Sequence, residues 1–351
     1  MNGGEIPPYL ALALQVPTHP VGGLSDRGKA RQCMAANIAA IATALAAGTP
    51  RLAEAAGVPV RLVVLPEYVL TGAPGAGPFR DWRDLACVEP DGAEVEALGN
   101  IARRGDLFLA ANAYEADPAF PDLYFQSSLV LSPGGDVVLR YRRLISLYSP
   151  SPYDVWERYL DAYGPEALYP VAETAIGRIG AVASEEILYP EIARCHVLRG
   201  AEILVHSTSE MGSPRPTGKE LARLARAAEN CAYVVSANTA GVPGTGLPAR
   251  SSTGMSKIVN YDGRVLAGAP PGGASLEAHA VLDLPALRER RRRGGLADTL
   301  SRLPLRAFAE GYSRTTARAP DELATARNAS RSRLLELQQA TIERLARAGR
   351  I

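Results

Sequence analysis

The chain has 351 residues, is 47% hydrophobic and 21% charged, and carries a formal net charge of +1. That composition is ordinary for a globular protein of one large domain or two, and so neutral a chain has no field to steer it onto nucleic acid or an anionic membrane. No basic stretch with an apolar core predicts a signal peptide, and no run of about 18 apolar residues predicts a membrane span. Four dispersed cysteines, Cys33, Cys87, Cys195 and Cys231, predict free thiols in a reducing cytoplasm. The four scattered histidines offer no zinc site.

In chain order, the apolar octet at 9–16 predicts a buried strand. From about 26 to 47 apolar positions recur at helical spacing, behind Ser25 or Asp26 as N-cap. Residues 61–65 read as a second buried strand, ending at Pro66-Glu67. A helix over 91–104 precedes a strand over 107–114. Strands over 127–132 and 137–142 flank a hairpin turn at Pro133-Gly-Gly-Asp136. Residues 146–170, rich in Tyr, Pro and acidic side chains, read as an insertion. Further strands are predicted at 179–183, 203–206, 233–238, 256–260 and 280–283. Helices are predicted at 190–199 and 217–230, with a second hairpin turn at Asn260-Tyr-Asp-Gly263. No internal repeat is visible. The alternation through about residue 285 suits a mixed sheet covered by helices. Beyond it lies an Arg-rich tail. Its run Leu287-Arg-Glu-Arg-Arg-Arg-Arg293 predicts a solvated helix face or subunit contact, and an amphipathic helix is predicted near 320–348.

Four motifs stand in a fixed order: Leu65-Pro-Glu67-Tyr68, Tyr141-Arg-Arg143, Ser184-Glu-Glu-Ile-Leu-Tyr-Pro-Glu191, and Arg226-Ala-Ala-Glu229-Asn230 followed by Asn238. Jointly they resemble the nitrilase superfamily of carbon–nitrogen hydrolases over about residues 9–285. The resemblance implies an α/β fold, an α-β-β-α four-layer sandwich with two mixed β-sheets. It implies a hydrolase domain at 1–285; the Arg-rich extension at 286–351, with its terminal helix, is expected to serve as an oligomer contact. The resemblance also implies a homodimer or larger assembly acting on a small amide-type molecule without metal or organic cofactor. Neither nucleic acid nor membrane is an expected partner.

Residue by residue, Glu67 matches the family's glutamate general base, and Arg143 stands where the family has a lysine. Ser184 stands where the family has its nucleophilic cysteine. A thiol with a pKa of ~8.5 yields some thiolate near neutrality, whereas a serine hydroxyl needs a matched base. No histidine is predicted nearby. Cys195, in the following helix, reads as a small hydrophobe. Of the 38 basic residues only Lys29, Lys219 and Lys257 are lysines. Arginine at 143 therefore follows the chain's bias, but it cannot release a proton near neutral pH. Two readings of Arg143 stand: it stabilises an oxyanion, or it pairs with Glu67 and fills the pocket.

Glu186 matches a family acidic position, while Glu185 replaces an aromatic and adds a carboxylate that could bind an amine. Glu157, with Asp154 as the other candidate, stands for a substrate-positioning glutamate, and Tyr68 and Tyr189 are further substrate-binding candidates. Arg226, Glu229, Asn230 and Asn238 read as support for the pocket wall and a dimer contact. The insertion's Tyr148, Tyr153, Trp156, Tyr159 and Tyr163 either pack among themselves or present an apolar wall to a ligand. Two functions follow: an amide hydrolase with an altered Glu-Arg-Ser site, or a pseudoenzyme that binds a small amide, amine or carboxylate. A single deliberate Cys-to-Ser exchange would not also have changed position 143.

Overall fold

The computed structural model describes residues 6–213, 215–243, 254–295, 298–314, 317–324 and 329–351. The first half of the chain builds β1 (Tyr9–Ala13), α1 (Arg27–Ala56), β2 (Val60–Val64), α2 (Phe79–Ala86), α3 (Ala93–Gly105), β3 (Phe108–Ala116), β4 (Tyr124–Leu131) and β5 (Val137–Arg142). The insertion contributes α4 (Trp156–Tyr163). The second half follows with β6 (Ala172–Thr174), β7 (Gly177–Ala183), α5 (Pro190–Leu198), β8 (Ile203–Thr208), α6 (Gly218–Asn230), β9 (Tyr233–Asn238), β10 (Lys257–Val259), β11 (Val265–Gly268) and β12 (His279–Leu282). The remaining described helices are α7 (Leu284–Arg292), α8 (Leu305–Ser313) and α9 (Arg331–Arg347).

The strands form two six-stranded sheets, ordered β12-β1-β2-β3-β4-β5 and β11-β10-β9-β8-β7-β6. Read from β12 and from β6, both sheets run antiparallel, parallel, parallel, antiparallel, antiparallel. The repeat that the sequence hides is thus one of topology. Period-two alternation divides the side chains of β1. Leu10 and Leu12 pack with Met34, Ile38 and Ile41 of α1 and Leu98 of α3. Tyr9, Ala11 and Ala13 pack with Ile179, Ala181 and Ile203 of the other sheet. With α5 and α6 on the outer face of the second sheet, this is the α-β-β-α sandwich with two mixed sheets.

Several expectations are corrected. Helix α1 does not stop near 47 but continues through Pro50 to Ala56, where Gly57 caps it at φ 69°. A proline inside a helix removes one backbone bond. Here tertiary packing carries the helix past it, with Gly48 so close to Leu276 that a Cβ would lie 2.5 Å from its Cδ1. The same helix is long and apolar enough to cross a membrane by length and composition, but its Met34, Ile38, Ile41 and Leu45 are core residues. The Arg-rich run is not simply a solvated face. Arg288 pairs with the fully buried Glu202, and Arg291 donates to the carbonyls of Cys231 and Ala201, fastening α7 to the second sheet.

The tail is not one helix from 320. Residues 317–324 lie along the insertion, where the Asp321 and Leu323 amides donate to the Tyr153 and Asp154 carbonyls and Arg318 pairs with Asp154. Helix α9 begins at Arg331, whose guanidinium lies over the Tyr148 ring. The insertion's other rings pack within the chain: Tyr159 lies against Phe120, Phe125 and Tyr163, and Tyr153 against Trp156.

Candidate active site

Glu67 owes its place to β2, a parallel strand between β1 and β3 whose carboxyl end opens toward the second sheet. After Pro66 the Glu67 amide donates to the Thr208 carbonyl at the end of β8, 3.3 Å away. The carboxylate is buried, and its Oε1 accepts from Gln126 Nε2 at 2.9 Å and Arg143 Nη1 at 3.2 Å. Among the described residues Oε2 has no hydrogen-bond partner. Tyr68 turns the chain at φ 38°, with its amide held by Asn112 Oδ1 and its hydroxyl bonded to Ser209. Across the topological repeat, Asn238 Oδ1 accepts the Glu210 amide at 2.8 Å in the same way.

Arg143 is the first residue after β5 and is 2% exposed. All of its nitrogens are engaged. Nε donates to the Ile145 carbonyl at 2.6 Å, and Nη1 to Gln126 Oε1 at 2.7 Å as well as to Glu67. Nη2 pairs with Glu185 Oε1 at 2.6 Å. Burial works against the charge, but Glu67 and Glu185 outweigh it and hold the guanidinium above its ordinary pKa. Removing one partner of so buried a pair costs about 3–5 kcal/mol.

Ser184 follows β7 directly, at φ 51°, and opens a 3-10 turn over Ser184–Leu188. A non-glycine residue held left-handed stores backbone strain, which its surroundings must fix. Three anchors do so. Glu186, fully buried, accepts from the Tyr141 hydroxyl at 2.8 Å and from the Leu144 amide at 2.7 Å. It also accepts from the Ile145 and Ala183 amides, which ties the elbow to the exit of β5. Burial pushes its pKa up to about 7 against the pull of Arg143 and these donors. His206 on β8 meets the Ser184 carbonyl through Nε2 at 2.9 Å and Ser236 Oγ through Nδ1 at 2.8 Å. Arg226 of α6 donates to the carbonyls of Ile187 and Leu188. The Ser184 hydroxyl itself meets Lys219 Nζ of α6 at 3.3 Å.

Residues 31–292 match the carbon-nitrogen hydrolase family model. The chain belongs to the carbon-nitrogen hydrolase family. It is 26% identical over 224 residues to the deaminated glutathione amidase of Yersinia enterocolitica, covering 62% of this chain and 74% of that protein. It is 23% identical over 242 residues to the omega-amidase of Danio rerio, covering 67% and 81%. The crystal structure of Saccharomyces cerevisiae Nit3, a member of the nitrilase superfamily, superposes with a TM-score of 0.62 at 20% identity, covering 82% of this chain and 95% of that one. The fold is that of the nitrilase superfamily.

Of the residues expected at the site, Glu67 and Glu185 each meet Arg143, and Ser184 adjoins them through its neighbour Glu185. Glu157 is exposed on α4, and its backbone amide donates to Asp321 Oδ1 of the tail; no described contact links it to Arg143. Asp154 is buried but serves Ser151 and Arg318. Tyr189 lies half out of the surface beyond the elbow, where burial and Glu185 raise its phenol. Cys195 is half-buried on α5, its thiol raised by burial. A cavity of about 590 Å³ opens elsewhere, between α1 and α3, lined by Ile38, Leu45 and Ile101.

Sequence reasoning missed Gln126, Asn112, His206 and Lys219. The expectation of no histidine nearby is overturned: β8 pairs with β7 so that His206 lies opposite Val182. It touches the serine's carbonyl rather than its hydroxyl, and burial drives its pKa well below the ordinary value, so the ring is a neutral brace. A signal for Lys219 was present in its rarity among so many arginines.

Proposed function

We propose that this protein hydrolyses a small linear amide through a serine-based variant of the nitrilase-superfamily site. One observation carries the reading: Ser184 is buried at a strained strand-end elbow, and its neighbour Glu185 pairs with Arg143 of the buried, hydrogen-bonded Glu67–Gln126–Arg143 cluster. In this reading Ser184 supplies the attacking oxygen. Arg143 faces the developing oxyanion once Glu185 is displaced from Nη2, and Glu67 holds Arg143 while keeping Oε2 for proton traffic. The names of the similar amidases support an amide as the substrate class. The assembly is a homodimer in a reducing compartment, a reading supported by the four free cysteines and the apolar side chains left exposed over α5 and α6.

A second reading is favoured by one specific observation: every nitrogen of Arg143 already has a partner. A pocket closed in this way suits a pseudoenzyme that binds a small carboxylate or amide in exchange for Glu185. The deciding experiment is turnover of a panel of linear amides, carbamoyl compounds and N-acyl amino acids. The hydrolase reading expects Ser184→Ala to abolish activity and Glu67→Gln to remove most of it. Robust turnover that survives Ser184→Ala defeats the nucleophile; no turnover, with ligand binding unchanged in Ser184→Ala, favours the binder.

A further inference from the structure

Among the described residues, one polar group touches the Ser184 hydroxyl: the Lys219 amine, at 3.3 Å. Lys219 is held there by rigid neighbours. It is the second residue of α6, whose start is fixed by a reciprocal cap in which Thr217 Oγ1 accepts the Glu220 amide and the Glu220 carboxylate accepts the Thr217 amide. Two turns further along, Arg226 grips the elbow that carries Ser184. Helix and elbow are therefore tied together at the point where the amine meets the hydroxyl.

We propose that Lys219 and Ser184 form a catalytic dyad in which the neutral Lys219 amine takes the serine proton. This rests on Ser184 being the nucleophile and adds the base that a hydroxyl requires. Glu67 makes no described contact with Ser184, and its Oε1 is held by Arg143 and Gln126. In a chain with only three lysines among 38 basic residues, the residue on the hydroxyl is a lysine. A guanidinium cannot release a proton there, whereas an amine can.

The charges around Lys219 leave it without a counter-ion. On α6, Glu220 is paired with Lys257 of β10, Arg223 with Glu210 and Arg226 with Glu229. On the elbow, Glu185 is paired with Arg143, and Glu186 is turned toward Tyr141 and the 144–145 amides. On β8, His206 is neutral. Among the described residues no carboxylate lies within ion-pair reach of Lys219.

The step balances. The Ser184 O–H bond breaks with its proton passing to Nζ, the Oγ–carbon bond forms, and the carbonyl π pair moves onto oxygen. Collapse restores the carbonyl and breaks the C–N bond, and the leaving amine takes the proton back from the Lys219 ammonium. Water then attacks the ester, giving its proton to Nζ, and Ser184 leaves and is reprotonated by the same group.

The test uses the full-length protein and p-nitrophenyl acetate as the acetyl donor, with acetylation of Ser184 followed by peptide mass spectrometry. The wild type is expected to acetylate at a rate that rises with pH through one ionisation. Lys219→Met is expected to slow acetylation at least about 100-fold and to abolish that ionisation. Lys219→Arg, which keeps the charge, is expected not to rescue it. Thermal unfolding establishes that both variants are folded, and Lys219→Gln substitutes for Lys219→Met if that variant is not. Acetylation at the wild-type rate in Lys219→Met, or full rescue by Lys219→Arg, overturns the dyad alone. Absence of acetylation at Ser184 in the wild type overturns the nucleophile and the dyad with it.

Discussion

Glu186 joins the two halves of the site, since four donors from β5, β7 and the loop after β5 end on its carboxyl. Its folded pKa of about 7 stands above the ordinary 4.5. Between those values the folded chain keeps a proton that the unfolded chain has released, so this group's contribution to stability falls as pH rises from about 4.5 to 7. Glu186→Gln places an amide N–H₂ against a backbone donor and is expected to cost about 1–3 kcal/mol at pH 5. Because the variant lacks the ionisation, the gap to wild type should narrow toward pH 7.5 in urea unfolding. A gap constant across that range contradicts the account. At this scale the motifs in the sequence announced Glu67, Arg143, Ser184 and Glu185, each tied to a local pattern. They could not announce Gln126, Asn112, His206 or Lys219. Those residues reach the site through strand register and helix placement, across separations of up to 59 residues between bonded side chains.

Among the elements, the strands that position the site were legible because they are short apolar runs closed by turn residues. The elements that decorate it were not. Helices α2 and α4 and strands β6 and β11 were missed, as their few apolar residues gain meaning from partners distant in sequence. The tail shows this most clearly. Leu323 looked like part of a helix, but it is buried in a turn whose backbone bonds the insertion at Asp154. Leu323→Ala is expected to destabilise the protein by about 2–4 kcal/mol, through lost burial and a residual cavity, lowering the midpoint of thermal unfolding. An unchanged midpoint would place residues 317–324 outside the cooperative fold. Arg288 acts similarly in the middle of α7, where it and Arg178 pair with Glu202, a carboxylate buried just before β8. A charged run that reads as solvated is partly a set of internal clamps.

At the scale of the molecule, two sheets with the same order of pairings bring strand ends from both halves together, where Arg143 after β5 pairs with Glu67 after β2 and with Glu185 after β7. The outer layer over α5 and α6 leaves Leu188, Leu198 and Leu221 exposed by 44%, 44% and 62%. A two-fold contact covering them is expected to give a dimer, which light scattering at micromolar concentration would register as twice the 37.2 kDa chain. A monomer at that concentration contradicts the proposed assembly without touching the chemistry. The proposed chemistry turns on Ser184. Intact-mass spectrometry of wild-type protein, acid-quenched during turnover of a small amide, tests it most directly. The account predicts an acyl adduct that maps to Ser184 and is absent from Ser184→Ala. Sustained turnover with no adduct at any quench time, undiminished in Ser184→Ala, would show that this hydroxyl is not the attacking group.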